Sequence, residues 1–438
     1  MTPEAIVMVC TSDLAGQVRG KGFPAADLPQ RLAKGVAWTP TNTMITAHGA
    51  IAPSPWGALG DLIMVPDTGA RFRVDFGERH AALDFVLADI CHLDGRPWAI
   101  CTRSFLRRVL AELEARHCLR LTAAFEHEFA YSGVEERANA SYALDAFRRQ
   151  DRFAENLVGA LREAGLTPDT FMPEYGPRQF EVTVGPAVGV AAADHAVAVR
   201  EIARAVAESL GQRVSFTPIL RPDAVGNGVH VHFSLRDAAT GAPANHDPGA
   251  PEGIDRRAAA FLAGVAAKMP AILALTAAAP ISYLRLTPHR WSAAYNNLGR
   301  NDREAGLRIC PVFETIGVDP AERLHFEYRA ADAAASPFLL FGAIVAAGLW
   351  GLDGDLTLPA VTTTDSDAMT PDERAALGIA RLPTSLGAAL DRLEADDDLD
   401  PLIGAELKRT YLAHKRFELE FVADLSAEEL CARYAEIY

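Results

Sequence analysis

Short apolar and β-branched runs at residues 5–11, 43–47, 62–65, 71–74 and 83–89, separated by Gly, Pro and Asp, pattern the first hundred positions. Runs of that length predict strands joined by turns. At Thr102 the period changes. Ser104 is placed to cap a helix to about His117, with Leu106, Val109, Leu110 and Leu113 along one face. Strand patterns at 121–131, 178–184 and 229–235 then alternate with helical patterns at 143–164 and 191–210, stopped by Gly165 and Gly211. Residues 237–253, loaded with Pro, Gly, Asn and Asp, predict a surface loop. Further helices are expected over 371–377, 385–393, 402–422 and 427–437. The longest apolar runs are 338–352, too short to span a bilayer, and 258–279, interrupted by Lys268 and Pro270; both read as buried core helices. No internal repeat is visible. The pattern predicts an α+β protein, with a small mostly-β domain over residues 1–100 and a large α+β domain over 101–438.

Composition narrows the function classes. The 438 residues carry 42 Lys plus Arg against 57 Asp plus Glu, a net charge of −15, with no basic run, which argues against a nucleic-acid partner. The apolar fraction of 49% excludes a disordered tail. Six cysteines, Cys10, Cys91, Cys101, Cys118, Cys310 and Cys431, are scattered without a CxxC pair. The opening MTPEAIVMVCTSD has no basic stretch followed by an apolar core. A reducing, cytoplasmic location with no membrane partner is therefore expected.

Several acids fall inside strand patterns. Glu126 and Glu128 lie two apart, so a strand puts both carboxylates on one face, which is unfavourable unless positive charge lies between them. A solvated edge strand is the plainer reading; a divalent-cation site is the sharper one. Glu174 and Glu181 flank a Gly-Pro turn that leads into a strand. A glycine-rich entry, Gly226-Asn227-Gly228, precedes His230 and His232 on one strand face, and Glu327 and Arg329 lie two apart on another. Singly, these also fit a turn acid, core histidines and a cross-strand ion pair. Together they supply five carboxylates and an imidazole, a set that suits Mg²⁺ or Mn²⁺ better than Zn²⁺. Arg285, Arg290, Arg300, Arg303 and Arg308 add forks that match carboxylate and phosphate oxygens. With no Walker A loop, the combination points to phosphoryl transfer outside the P-loop and kinase classes.

In this order the motifs resemble the glutamine synthetase family over nearly the whole chain: an ExE strand, an E…GxxQxE turn, a Gly-rich loop into HxH, an RLxP flap, an R…R pair, ExR before a DxAASP-type helix, and a late LPTSL. The resemblance implies a β-grasp-like N-terminal domain, a large catalytic α/β domain with an antiparallel sheet, and homo-oligomeric stacked rings (a dodecamer) with active sites between subunits. It implies one metal on Glu128, Glu174 and Glu181 and a second on Glu126, His230 and Glu327. His232, Phe233 and Ser234 would line the nucleotide. Arg303 and Arg308 would meet the transferred phosphoryl group of ATP. Arg285 and Arg329, with Gly226 nearby, would clamp a glutamate-like acid. Asp13, Gly16, Arg19, Gly20 and Lys21 match the DxxGxxRGK opening of amine-using members and read as a structural strand signature.

The departures are specific. The family's flap reads RLxPGxE, whose Glu helps deprotonate ammonium; here Trp291 stands in the acid's place, in Arg285-Leu286-Thr287-Pro288-His289-Arg290-Trp291. The N-terminal stretch that supplies a second acid in the family is Thr39-Pro40-Thr41-Asn42, without a carboxylate. Val225 replaces a frequent Asn and Arg178 a usual Gly. Ammonium needs a base before it attacks, and indole is none. Trp291 can instead wall an apolar pocket for an organic amine, or simply pack the flap with His289 as base. The favoured expectation is an ATP-dependent ligase joining glutamate's γ-carboxylate to an organic amine. Glutamine synthetase proper and a non-catalytic relative are the alternatives. Glu128→Ala or Glu327→Ala is expected to abolish turnover with the fold intact.

Overall fold

The computed structural model describes residues 4–137, 140–312, 317 and 319–438; the first three residues of the MTPEA opening lie outside them. Two sheets organise the chain. The first is built from β1 (Ile6–Ser12), β2 (Val18–Pro24), β3 (Val36–Trp38), β4 (Leu62–Val74) and β5 (Leu83–Cys91) in the order β2-β1-β5-β4-β3, with β1 and β5 parallel. The runs expected at 62–65 and 71–74 are one strand, β4, whose register against β5 shifts between Pro66 and Arg71. Pro66 has no N–H to give a ladder, so the irregularity falls at that point. The strand expected at 43–47 is a 3₁₀ turn over Pro40–Met44, started by Pro40, and Ile45 makes only an isolated bridge to Ile51. The DxxGxxRGK segment does form a strand hairpin: Asp13 accepts from the N–H groups of Ala15 and Gln17 (both 2.9 Å) and from Arg19 Nε (2.6 Å) at the corner before β2. A short helix, α1 (Leu28–Lys34), has too few turns to show a period in sequence.

Helix α2 (Thr102–His117) starts two residues before the expected cap. Cys101 is its N-cap, its Sγ accepting from Ser104 N at 3.4 Å. The large sheet comprises β6 (Leu119–Tyr131), β7 (Pro168–Pro173), β8 (Gln179–Val184), β11 (Val229–Asp237), β12 (Tyr295–Arg300), β13 (Ala305–Ile309), β14 (Phe326–Tyr328) and β15 (Val361–Thr362), with the two-residue strands β9 (Ala187–Val188) and β10 (Val214–Ser215) added to β6. Its order is β15-β12-β13-β14-β11-β6-β8-β7. It is mixed where an antiparallel sheet was expected. Both β13 and β15 run parallel to β12.

The predicted helix 143–164 is two helices, α3 (Leu144–Arg149) and α4 (Phe153–Glu163). Asp151 at φ +56° breaks the run, and Gln150 Oε1 accepts from Ala154 N at 2.7 Å to cap the second piece. After α5 (Val190–Ser209) come α6 (Arg256–Thr276), α7 (Ser282–Arg285), α8 (Pro320–Arg323), α9 (Pro337–Asp353), α10 (Pro371–Ala376) and α11 (Leu386–Glu394). The run 402–422 is likewise split at Gly404 (φ +95°) into α12 (Asp400–Ile403) and α13 (Ala405–Phe421), followed by α14 (Ala427–Ala435).

The core lies behind the large sheet. Along β6, odd residues from Leu119 to Tyr131 are buried and even ones face the other side, so Phe125 meets Phe341 of α9, and Phe233 of β11 meets Phe261 of α6. The two apolar runs are therefore core helices. Helix α6 is long and apolar enough to cross a membrane, yet 89% of its apolar window is buried in the fold. It crosses α9 with backbones touching: a Cβ on Gly351 would lie 2.2 Å from Ala260 O and 2.6 Å from Gly264 N. Gly351→Ala must push the two core helices apart, and a loss of about 1–3 kcal/mol is expected in denaturant unfolding. An unchanged midpoint would mean that the crossing is looser than this.

Candidate active site

The even-numbered face of β6 opens onto a cleft, and strand register brings the acids together there. Glu128 lies directly opposite Glu181 of β8, Glu126 opposite His230 of β11, and Glu327 of β14 between His232 of β11 and Arg308 of β13. Glu174 joins from the β7–β8 turn. One oxygen each of Glu128, Glu174 and Glu181 lie within 4.8 Å of one another, and so do donor atoms of Glu126, Glu181 and His230, and of Glu126, His232 and Glu327. All six metal ligands expected from sequence thus share one face, and His232 joins them.

Charge explains the arrangement. Burial, then the neighbouring Glu126, Glu128 and Glu174, pushes the Glu181 carboxyl up to about 9, and burial with Glu128 raises Glu174. Among the described residues no Lys or Arg lies within 4.0 Å of Glu128, Glu174 or Glu181. Three clustered carboxylates, with only the His230 imidazole 4.0 Å from Glu128 as a basic neighbour among the described residues, fit a hard divalent cation, which would replace the proton held there. The other end is balanced differently. Burial would raise Glu327, but Arg329, His232 and His230 hold it down to about 2. Arg308 Nη1 donates to Glu327 at 2.8 Å and Arg329 Nη1 donates to its other oxygen. Burial acts the same way on Glu126, where the hydrogen bond with His230 (3.3 Å) and the His232 imidazole at 3.0 Å outweigh it.

The arginines and the loop residues complete the picture. Arg285, at the end of α7, is buried behind residues 226–228: a Cβ on Gly226 would sit 2.3 Å from its Cγ, so only glycine lets the loop lie on it. Its Nη2 donates to Ala331 O, and its Nε is buried without a partner. Arg303 stands exposed on the β12–β13 turn. Arg308 and Arg329 flank Glu327, because a fully buried carboxylate needs counter-charge. Ser234 faces the cleft side, opposite Thr122. Phe233 is corrected: alternation turns its ring into the core against Phe261 and Phe326, so its side chain lines no nucleotide. Arg178 has φ +59°, which accounts for the glycine usual at that position.

Trp291 projects from the lip of the cleft, 58% exposed, at φ +53°. Its carbonyl accepts from Arg329 Nη2 at 3.2 Å. Glu304, which sequence reading missed, lies beneath this loop and accepts from the N–H groups of Trp291 and His289, both at 2.9 Å. His289 Nε2 meets Asp367 Oδ2 at 3.2 Å. Two further roles were missed. Gln179, the Gln of the GxxQxE turn, had a place in the motif but no role: its buried amide spans Glu128 (3.3 Å), Gly226 O (2.8 Å) and Asn227 Oδ1 (3.0 Å). Tyr142 donates to Glu174 at 3.1 Å from a loop with no sequence signal.

Residues 1–98 match the glutamine synthetase N-terminal domain and residues 99–432 the glutamine synthetase catalytic domain. The chain belongs to the glutamine synthetase family. It is 34% identical to the gamma-glutamylpolyamine synthetase GlnA3 of Streptomyces coelicolor over 98% of this chain and 92% of that one. It is 27% identical to the glutamine synthetase of Pyrococcus abyssi, covering 95% and 91%. Among solved structures, a novel glutamine synthase homolog superposes with a TM-score of 0.92 at 43% identity, over 100% of this chain and 99% of the other. The ADP complex of GmaS superposes at 0.82 with 25% identity, over 97% and 95%.

Proposed function

We propose that this chain is an ATP-dependent ligase that joins the γ-carboxylate of glutamate to an organic amine through an acyl phosphate. The observation that carries the amine is Trp291: the fixed lip of the cleft presents an indole where ordinary glutamine formation uses an acid. The polyamines in the name of the Streptomyces relative belong to the same chemical class and support the reading.

The physical logic is simple. A carboxylate is a poor electrophile because oxide is a poor leaving group. Phosphoryl transfer from ATP makes an acyl phosphate, the amine attacks its carbonyl carbon, and phosphate departs. Anions must be brought together for the first step, and cations offset their repulsion. Glu128, Glu174 and Glu181 would hold one divalent cation and Glu126, His230 and Glu327 a second, with Mg²⁺ or Mn²⁺ suited to such donors. Arg303 and Arg308 meet the transferred phosphoryl group, and Arg285 and Arg329 the substrate carboxylates. His232 and Ser234 border the nucleotide. His289, oriented by Asp367, is the group beside Trp291 that can take the amine's proton.

Family membership supports the rest: a β-grasp-like domain over residues 1–100, a catalytic domain over 101–438, a cytoplasmic homo-oligomer of stacked rings (a dodecamer), and active sites shared between subunits. Glutamine synthetase proper has one observation in its favour, the carboxylate of Glu304 beneath the flap. Phosphate release from glutamate, ATP and Mg²⁺ across a panel of amines decides. Organic amines, polyamines and aromatic amines included, are expected to support turnover at least about tenfold above ammonia. Full turnover with ammonia alone would make the protein a glutamine synthetase.

A further inference from the structure

Beside the carboxylate row lies a second donor cluster of different chemistry. Cys310 directly follows β13 and His325 directly precedes β14, and Cys310 N donates to His325 O at 3.1 Å, pinning the two positions side by side. His232, on β11, completes the group: its Nδ1 is 3.7 Å from Cys310 Sγ, and its ring centroid is 5.2 Å from that of His325. One ligand atom from each of the three lies within 4.8 Å of the others. Cys310 is buried, while the two histidines are half-buried on the cleft side.

The far nitrogen of each ring has an oxygen beside it, hydrogen-bonded in the case of His325 and at ion-pair distance in the case of His232. His232 Nε2 faces Glu126 Oε1 at 3.0 Å, and His325 Nδ1 faces the carbonyl of Arg323 at 2.8 Å. With those nitrogens carrying the protons, Nδ1 of His232, which then accepts from the Cys310 thiol, and Nε2 of His325 offer their lone pairs to a metal. An imidazole whose second nitrogen donates to a carboxylate or a carbonyl is the usual arrangement of a metal-bound histidine, because it fixes tautomer and orientation. The donor set is one sulfur and two imidazoles, soft where the carboxylate row is hard.

We propose that Cys310, His232 and His325 form a binding site for a thiophilic divalent ion, Zn²⁺, distinct from the two carboxylate positions and linked to them through Glu126. Three protein ligands leave one tetrahedral position open. Binding releases the thiol proton of Cys310.

The test uses the full-length protein stripped of metal with a chelator and titrated with Co²⁺ as a spectroscopic substitute for Zn²⁺. A thiolate-to-cobalt charge-transfer band in the near ultraviolet is expected, saturating at about one equivalent. Excess Mg²⁺ leaves it in place and Zn²⁺ displaces it. The carboxylate positions contain no sulfur and cannot give this band, and the readout is independent of any ligase activity. Cys310→Ser loses the band. His325→Ala keeps the thiolate and weakens Co²⁺ binding at least about tenfold. Absence of the band, its persistence in Cys310→Ser, its loss to Mg²⁺, or unchanged affinity in His325→Ala would each overturn the assignment.

Discussion

Glu128→Ala and Glu327→Ala are both expected to lose at least about a thousandfold in turnover, and only the second is expected to lose stability. The sequence alone treats the two positions alike, with the fold intact in either variant. The structure separates them. Glu128 belongs to the carboxylate cluster whose burial, and then mutual repulsion, push Glu181 up to about 9. Removing one negative charge there relieves repulsion, so the metal-free Glu128→Ala protein should melt no lower than the parent, and higher if the strain is large. Glu327 is fully buried and is the counter-charge of Arg308 and Arg329. Its loss strands two buried guanidinium groups at a cost of about 3–5 kcal/mol. Phosphate release measures the first effect, and thermal melting with and without Mg²⁺ the second. Mg²⁺ should raise the melting temperature of the parent more than that of Glu128→Ala. An active Glu128→Ala enzyme would remove the metal assignment altogether.

What the sequence revealed and what it hid divide along the range of the interactions. Alternation is a property of neighbouring residues, so Glu126 with Glu128, His230 with His232, and Glu327 with Arg329 could be placed on common faces. Which face meets which is a matter of register between strands far apart in the chain. The pairing of Glu128 with Glu181, or of Arg308 with Glu327, comes from the fold. Tyr142 and Glu304 act through contacts of that second kind, and local pattern contains no trace of their roles. The breaks at Asp151 and Gly404 failed for another reason. Apolar periodicity continues across both, while the backbone leaves the helical region for three residues around Asp151 and for Gly404 alone at the second break. Phe233 shows the converse: the motif that contains it was legible, and simple alternation already placed its ring on the core side, away from His232.

Trp291→Glu is expected to exchange the amine specificity, with ammonia-dependent phosphate release rising at least about tenfold and kcat/KM for the best organic amine falling about tenfold to a hundredfold. The loop that holds position 291 is anchored without the indole. Ser292 Oγ donates to Arg285 O at 2.6 Å, and Arg290 Nη1 donates to the carbonyls of Pro222 (3.1 Å) and Ala224 (2.9 Å). The N–H groups of His289 and Trp291 stay on Glu304 whatever side chain position 291 carries. The backbone there, at φ +53°, is as unfavourable for Trp as for Glu, so the substitution adds no conformational penalty. What changes is the chemistry at the lip. A carboxylate can accept a proton from ammonium and hold the cation, whereas the indole offers apolar surface and a π face to an organic amine. Trp291→Ala separates the two effects: it should lose the organic amine without gaining ammonia. If Trp291→Glu uses the organic amine as well as the parent and ammonia no better, Trp291 only packs the flap, and the amine is selected elsewhere in the cleft.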